Sequence, residues 1–249
     1  MDAVSDRINT RFLLEWLKRN ARKKGLGGLA DFSVSYVSDY WFDFYYGTST
    51  TGWIPSSQLN TTSVNRQHSE RYQATKTRPF KKLMRRLSFP EGSVFVDVGC
   101  GKGKALLIAT GFGFARVAGV EFDGDLCRTA RMNIEKFRRR TGTTTDVQVI
   151  ESDILDYEIQ PDENVFYLYN SFGEVVLRRF LENVRSSLRV APRKVWLIYH
   201  IPIHMDVVEE MGIFSRRTDH FVGGTDFVVF EGDGPLQSAE TVRSAVAAG

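Results

Sequence analysis

In the second half of this chain two kinds of apolar run alternate. Short, nearly unbroken stretches of β-branched and aromatic residues (Val94 to Val98, Arg116 to Glu121, Val147 to Glu151, Val165 to Tyr169 and Val195 to His200) read as strands covered on both faces. Between them apolar residues recur every three to four positions. Leu126, Ala130, Ile134 and Phe137 turn inward with arginines outward, and Val176, Phe180, Val184 and Leu188 repeat the pattern. Strands alternating with helices predict a doubly wound α/β domain. Phe214 to Phe221, the turn Val222-Gly223-Gly224-Thr225, and Asp226 to Glu231 close it with a hairpin.

Upstream the pattern is less regular. Residues 5–24 form an amphipathic stripe of Ile8, Phe12, Leu13, Trp16 and Leu17, capped by Ser5 and stopped by Gly25 and Gly27-Gly28. Such a helix either packs on the main domain or covers it as a lid. Residues 29–60 are aromatic and irregular, with Phe32, Tyr36, Tyr40, Trp41, Phe42, Phe44, Tyr45, Tyr46 and Trp53. These rings serve either as core for the extension or as the wall of a substrate pocket. Arg78-Pro79 opens a helix that carries Phe80, Leu83, Met84 and Leu87 on one face. The expected division is an N-terminal extension over 1–60, one α/β domain over 61–236, and an Ala/Ser-rich tail over 237–249 that frays.

Composition narrows the class. At 249 residues and 42% hydrophobic content the chain can bury one substantial core. No apolar run approaches the ~20 residues that span a bilayer, and Glu15, Lys18 and Arg19 break any signal-like segment, so a cytoplasmic protein without membrane contact is expected. Cys100 and Cys127 are too few for a disulfide framework and lack zinc-ligand spacing, so no metal is expected. Net charge is +3. The runs Arg19-Asn20-Ala21-Arg22-Lys23-Lys24, Lys81-Lys82 with Arg85-Arg86, and Arg138-Arg139-Arg140 read as solvated helix faces or ends. No interleaved aromatic platform accompanies them, so nucleic acid is not the expected partner.

Candidate chemistry gathers at Val94 to Ala109, where a strand ends in an acid, a glycine-rich turn follows, and a helix begins at once. Glycines admit a ligand close to the backbone, and a helix start offers unpaired N–H groups. The dinucleotide fingerprint needs a glycine where Lys104 stands, and a Walker loop needs Ser or Thr after Gly-Lys, where Gly103 and Ala105 stand. What remains is Asp97-x-Gly99-x-Gly101-x-Gly103. An acid at the end of the second strand, Glu121, suits a ribose diol, because a carboxylate accepts two hydrogen bonds from vicinal hydroxyls; a surface carboxylate is the alternative. Phe122 beside it can pack on a purine face.

The glycine segment resembles the first motif of class I S-adenosyl-L-methionine (SAM) methyltransferases. The succession of Asp43-x-x-Tyr46-Gly47-Thr48, Tyr72-Gln73-Ala74-Thr75, a short helix and the glycine motif is similar, over residues 43–232, to a group of small bacterial methyltransferases of unassigned acceptor. The usual Tyr-Gln-Pro-Thr has Ala74 in place of proline. The resemblance implies a Rossmann-like seven-stranded sheet of order 3-2-1-4-5-7-6 with an antiparallel seventh strand, and SAM as cofactor.

Residue by residue, it implies that Gly99, Gly101 and Gly103 lie against the methionine moiety. Asp97 would organise the loop and reach the methionine amino group, while Tyr72 and Thr75 contact the cofactor. Asp153, just past the third strand, would take the adenine amino group, a helix N-cap being the alternative. Lys102 and Lys104 are expected to point outward or to meet the cofactor carboxylate. Asn170-Ser171-Phe172 stands where methyltransferases acting on amino nitrogen often have Asn-Pro-Pro-Tyr. Asn170 is then acceptor-proximal, with a plain strand-end turn as the alternative. His200, at the end of a central strand, is either an acceptor-side base or a hydrogen-bonded structural histidine.

The expected reaction is direct in-line methyl transfer to a small-molecule or amino-nitrogen acceptor. Protein lysine methylation, or a SAM- or RNA-binding module without catalysis, are the alternatives.

Overall fold

The computed structural model describes residues 34–54, 72–169 and 172–234. The helix expected over residues 5–24, the tail from 237 and Asn170 with Ser171 lie outside them. Helix α1 spans residues 34–46. Strand β1 (Trp53–Ile54) pairs antiparallel with β2 (Tyr72–Gln73), and α2 (Thr77–Met84) follows. The main domain then runs β3 (Val94–Val98), α3 (Lys104–Ala109), β4 (Arg116–Glu121), α4 (Gly124–Thr141), β5 (Asp146–Glu151) and β6 (Glu163–Tyr169). It closes with α5 (Glu174–Val190), β7 (Val195–His200), α6 (Met205–Glu210), β8 (Arg216–Val222) and β9 (Thr225–Gly232).

One seven-stranded sheet has the order β5-β4-β3-β6-β7-β9-β8. Counted from β3 as the first strand, this is 3-2-1-4-5-7-6, the expected order. β3 pairs parallel with β4 and β6, β4 with β5, and β6 with β7, while β9 runs antiparallel between β7 and β8. The all-buried pattern of β3 and β7 follows from helices on both faces.

One face carries Val94, Val96, Val98, Phe166, Leu168, Leu197 and Tyr199 against Val176, Phe180 and Val184 of α5. The other carries Phe95, Val165, Tyr167, Trp196 and Ile198 against Phe80 and Leu83 of α2, Leu106 of α3 and Phe137 of α4. Phe80 is wholly buried, with its ring 4.6 Å from that of Tyr167. Burying a side chain of that size stabilises the fold by about 1.5–3 kcal/mol.

Two departures from the sequence reading have physical causes. Residues 34–46 are helical where an irregular segment was expected. Phe42 and Tyr46 pack on Phe137 of α4, with ring centroids at 6.2 and 4.5 Å, and that tertiary contact overrides the weak helix propensity of aromatic residues. Helix α2 ends at Met84, before Leu87, which packs partly buried against the same core.

Candidate functional site

At the carboxyl end of β3 the chain turns through Gly99, Gly101 and Gly103 with φ of 81°, 52° and 82°. That left-handed region is open to glycine at no steric cost, which explains the alternate-glycine spacing. The N–H groups of Gly99 and Cys100 both donate to the carbonyl of Val120, at 2.9 and 3.1 Å, and that of Gly103 donates to Cys100. The loop is thereby stitched to the end of β4. Gly119 lies beneath it, and a Cβ there would fall 2.7 Å from the Cys100 side chain and Leu106 Cδ1.

Glu121, the last residue of β4, holds this loop. Its Oε2 accepts from the Gly101 N–H at 2.9 Å and its Oε1 from the Asp123 N–H at 3.0 Å. Burial pushes its carboxyl up to about 7, although the two N–H groups favour the charged form. Asp97, expected to organise the loop, is also buried. Burial raises its carboxyl well above the usual range, and the neighbouring Glu121 charge adds to this. Each carboxylate oxygen has two acceptor positions, so Glu121 can serve the loop and still receive a diol.

Phe122 is half-buried next to Glu121. Asp153 follows β5, and its Oδ1 accepts from the Leu155 N–H at 3.0 Å in a local turn; no helix follows for it to cap. Tyr72 stands in β2 opposite Ile54; its side chain lies outside the described residues.

Thr75 begins a hydrogen-bonded chain across the rim of the sheet. Its hydroxyl lies 3.1 Å from the Tyr167 hydroxyl, which lies 3.0 Å from His200 Nδ1, and His200 Nε2 lies 3.0 Å from the Thr225 hydroxyl. The His200 ring stacks between Tyr169 and Phe227 at 3.9 and 4.1 Å and is fully buried. Burial holds its pKa well below the usual value, and the Lys76 charge adds to the effect. Of the two expectations for His200, this geometry matches the structural histidine. A neutral ring with both nitrogens paired has no lone pair to offer an acceptor.

Of the two expectations for Lys104, outward or toward a cofactor carboxylate, the outward one is not met. Its side chain is 1% exposed, with Nζ 3.3 Å from Asp39 Oδ1 and 3.1 Å from the Thr51 hydroxyl, over the ring of Phe42. Thr51 belongs to a strap, residues 48–52, that leaves α1 and crosses the glycine loop. Asp43 shapes it by accepting from the hydroxyls of Thr48 and Thr50, both at 2.6 Å, and from the N–H groups of Thr50 and Thr51. Burial opposes ionisation of Asp43, but these hydrogen bonds prevail and hold its pKa below the ordinary value. Asn133 of α4 binds the strap to the loop, since it accepts from the Ser49 N–H at 2.9 Å and donates to the Lys102 carbonyl at 3.0 Å. Lys102 Nζ approaches the Thr51 carbonyl at 3.5 Å.

Asp39, Asp43 and Asn133 were not singled out from sequence as site residues. For Asn133 a signal existed: an amide inside the apolar stripe of Ala130, Ile134 and Phe137 must face inward and find partners. The aromatic segment divides as well. Phe42 is core, whereas Tyr40, Trp41, Phe44 and Tyr45 are exposed. Among the described residues no helix is long and apolar enough to cross a membrane.

No protein-family model and no curated protein matches the chain. Solved structures do. A SAM-dependent methyltransferase from Aquifex aeolicus is 18% identical, with 61% of this chain and 88% of that one covered at a TM-score of 0.50. A protein from Methanococcus maripaludis, provisionally assigned as a SAM-dependent methyltransferase, is 12% identical, with 66% and 87% covered at a TM-score of 0.50. An RNA methyltransferase from Salinibacter ruber, in complex with S-adenosyl-L-homocysteine, is 22% identical, with 65% and 94% covered at a TM-score of 0.45. At these identities the likeness is one of fold: this chain has the Rossmann-like seven-stranded fold of the class I methyltransferases.

Proposed function

We propose that this chain is a SAM-dependent methyltransferase acting by direct in-line displacement on a small-molecule or amino-nitrogen acceptor. One observation carries the reading. In a sheet of this order, three left-handed glycines follow the first strand, and the N–H of the middle one, Gly101, donates to Glu121, the acid that ends the second. That arrangement places a backbone that a ligand can approach beside a carboxylate suited to a ribose. Thr75, Asp97, Phe122 and Asp153 stand around the same carboxyl rim, with Tyr72 and Asn170 assigned to it from sequence.

When bound, SAM supplies a methyl group on a sulfonium. That methyl would be open to displacement by an acceptor lone pair, with the carbon–sulfur electrons returning to sulfur and an acceptor proton leaving to solvent. The chain's task is orientation, and alignment of reactants supplies several of the ~7–11 kcal/mol available from proximity. Glu121 and Asp153 would hold nucleoside groups, and Asp97 with the loop would hold the methionine portion. Asn170, through its amide oxygen, would aim an acceptor NH₂. His200 acts at one remove by keeping Tyr167 and Thr75 in place.

Calorimetry with SAM and S-adenosylhomocysteine tests the cofactor, with Asp97→Ala as control; no heat at high micromolar ligand overturns it. An Asn170→Ala protein that binds SAM normally and methylates its acceptor undiminished removes the role of Asn170. A second reading, an RNA-binding protein of this fold, draws on Trp41, Phe44 and Tyr45, which are exposed on α1 with the Arg140 guanidinium 5.0 Å from the Tyr45 ring. Exposed rings beside cations stack and pair with single strands, and salt-dependent RNA binding would favour this reading.

A further inference from the structure

We infer that Lys104 and Asp39 couple α1 and its strap to the glycine loop, so that cofactor binding and closure of residues 34–54 over the loop are a single equilibrium. The inference rests on the cofactor reading above.

Lys104 follows the third glycine directly and opens α3, yet its ammonium turns away from the sheet to meet Asp39 and Thr51, both upstream of the domain. A buried ammonium is tolerated only when paired. If α1 withdrew, the Lys104 ammonium would lose both Asp39 and the Thr51 hydroxyl and turn toward solvent, directly beside the left-handed turn at Gly103. The residue that closes the loop therefore loses its ties to α1 and the strap when they lift. Asn133 adds a second tie, since its amide spans the Ser49 N–H and the Lys102 carbonyl and loses one of them when the strap lifts.

Asp39 extends the coupling to the far side of the site. The same oxygen that pairs with Lys104 accepts from the N–H and hydroxyl of Thr77, at 2.9 and 2.8 Å, and its other oxygen lies 3.4 Å from Lys76. This carboxylate thus caps α2 in place of a local residue, because Lys76 at the N-cap makes no side-chain cap. Thr75, which opens the chain to Tyr167 and His200, immediately precedes Lys76. One acid on α1 therefore ties both the residue that follows the loop and the segment that carries Thr75. By linkage, a ligand that favours the strapped loop is bound more tightly by the strap in the same proportion.

Hydrogen exchange on the full chain, with and without S-adenosylhomocysteine, reads this directly. Peptides within 34–54 are expected to gain protection together with those over 94–104. Lys104→Met is expected to weaken S-adenosylhomocysteine binding about tenfold or more and to remove the gain at 34–54 while keeping that at the loop. Thr51→Val, which spares the ion pair, is expected to do both more mildly, and it stands in should Lys104→Met fail to fold. Wild-type protein that binds S-adenosylhomocysteine with unchanged exchange over 34–54 overturns the coupling alone, as does a folded Lys104→Met protein of wild-type affinity. Absence of binding by the wild type overturns the cofactor reading and the coupling with it.

Discussion

Glu121 meets two demands with one carboxylate, and its ionisation shows the tension between them. In the unfolded chain its pKa is 4.5, and in the fold it rises to about 7. An acid raised on folding binds its proton more tightly in the native state, so native stability falls as pH rises from about 4.5 through 7 and then levels. Urea unfolding at pH 5 and pH 8 should show this loss in the wild type and a smaller one in Glu121→Gln. The difference is expected to be on the order of a few kcal/mol. If ribose hydroxyls donate to the ionised form, cofactor affinity falls as pH drops below 7, by up to about tenfold per unit, and calorimetry across pH 6–8 reads the slope.

At His200 the sign is reversed. Its pKa is depressed, so the unfolded state takes the proton more readily and stability falls as pH drops below the usual histidine value of 6.5. His200→Phe keeps the stack with Tyr169 and Phe227 but takes one hydrogen-bond partner from each of Tyr167, which keeps Thr75, and Thr225. It should cost about 2–4 kcal/mol in denaturant unfolding and should flatten this acid limb. Both positions were legible as strand ends. What engages them was not, because the partners of His200 lie 25 and 33 residues away in sequence.

Among the elements, the glycine loop was readable because steric exclusion writes itself into the residue type. Gly119 was less so, since nothing in a strand pattern says that the loop will fold back onto it. Gly119→Ala should cost about 1–3 kcal/mol through overpacking against Cys100 and Leu106 and should weaken cofactor binding by displacing the loop; thermal unfolding and calorimetry check both. Helix α1 was hidden for another reason. Its exposed face carries Tyr40, Trp41, Phe44 and Tyr45, so it lacks the polar half that makes a helical period visible. The strap depends on Asp43, and Asp43→Ala removes hydrogen bonds to three threonines. A loss of about 2–4 kcal/mol, with faster exchange confined to residues 43–52, is the expected result.

For the whole molecule, alternation of strands and helices declared the doubly wound class, whereas the strand order came from resemblance, since periodicity does not encode neighbours. Stability should be graded across the sheet. β3, β6 and β7 lie between two helical layers, whereas edge strand β5 is partly exposed and β8 is largely so. Native-state hydrogen exchange should release β5 and β8 through local opening and β3, β6 and β7 only through global unfolding.

The position of β9 has a consequence for the order in which the protein is made. β9 lies between β7 and β8 yet is the last strand among the described residues, and its first residue, Thr225, completes the pairing of His200. The turn before it presses on the start of α2, where a Cβ on Gly223 would fall 2.8 Å from Pro79 Cγ. During synthesis the glycine loop and the ends of β4 and β5 leave the ribosome early. The rim that holds Thr75 and Tyr167 waits for residues 223–232, and until they arrive β7 presents an unpaired edge to any neighbouring chain.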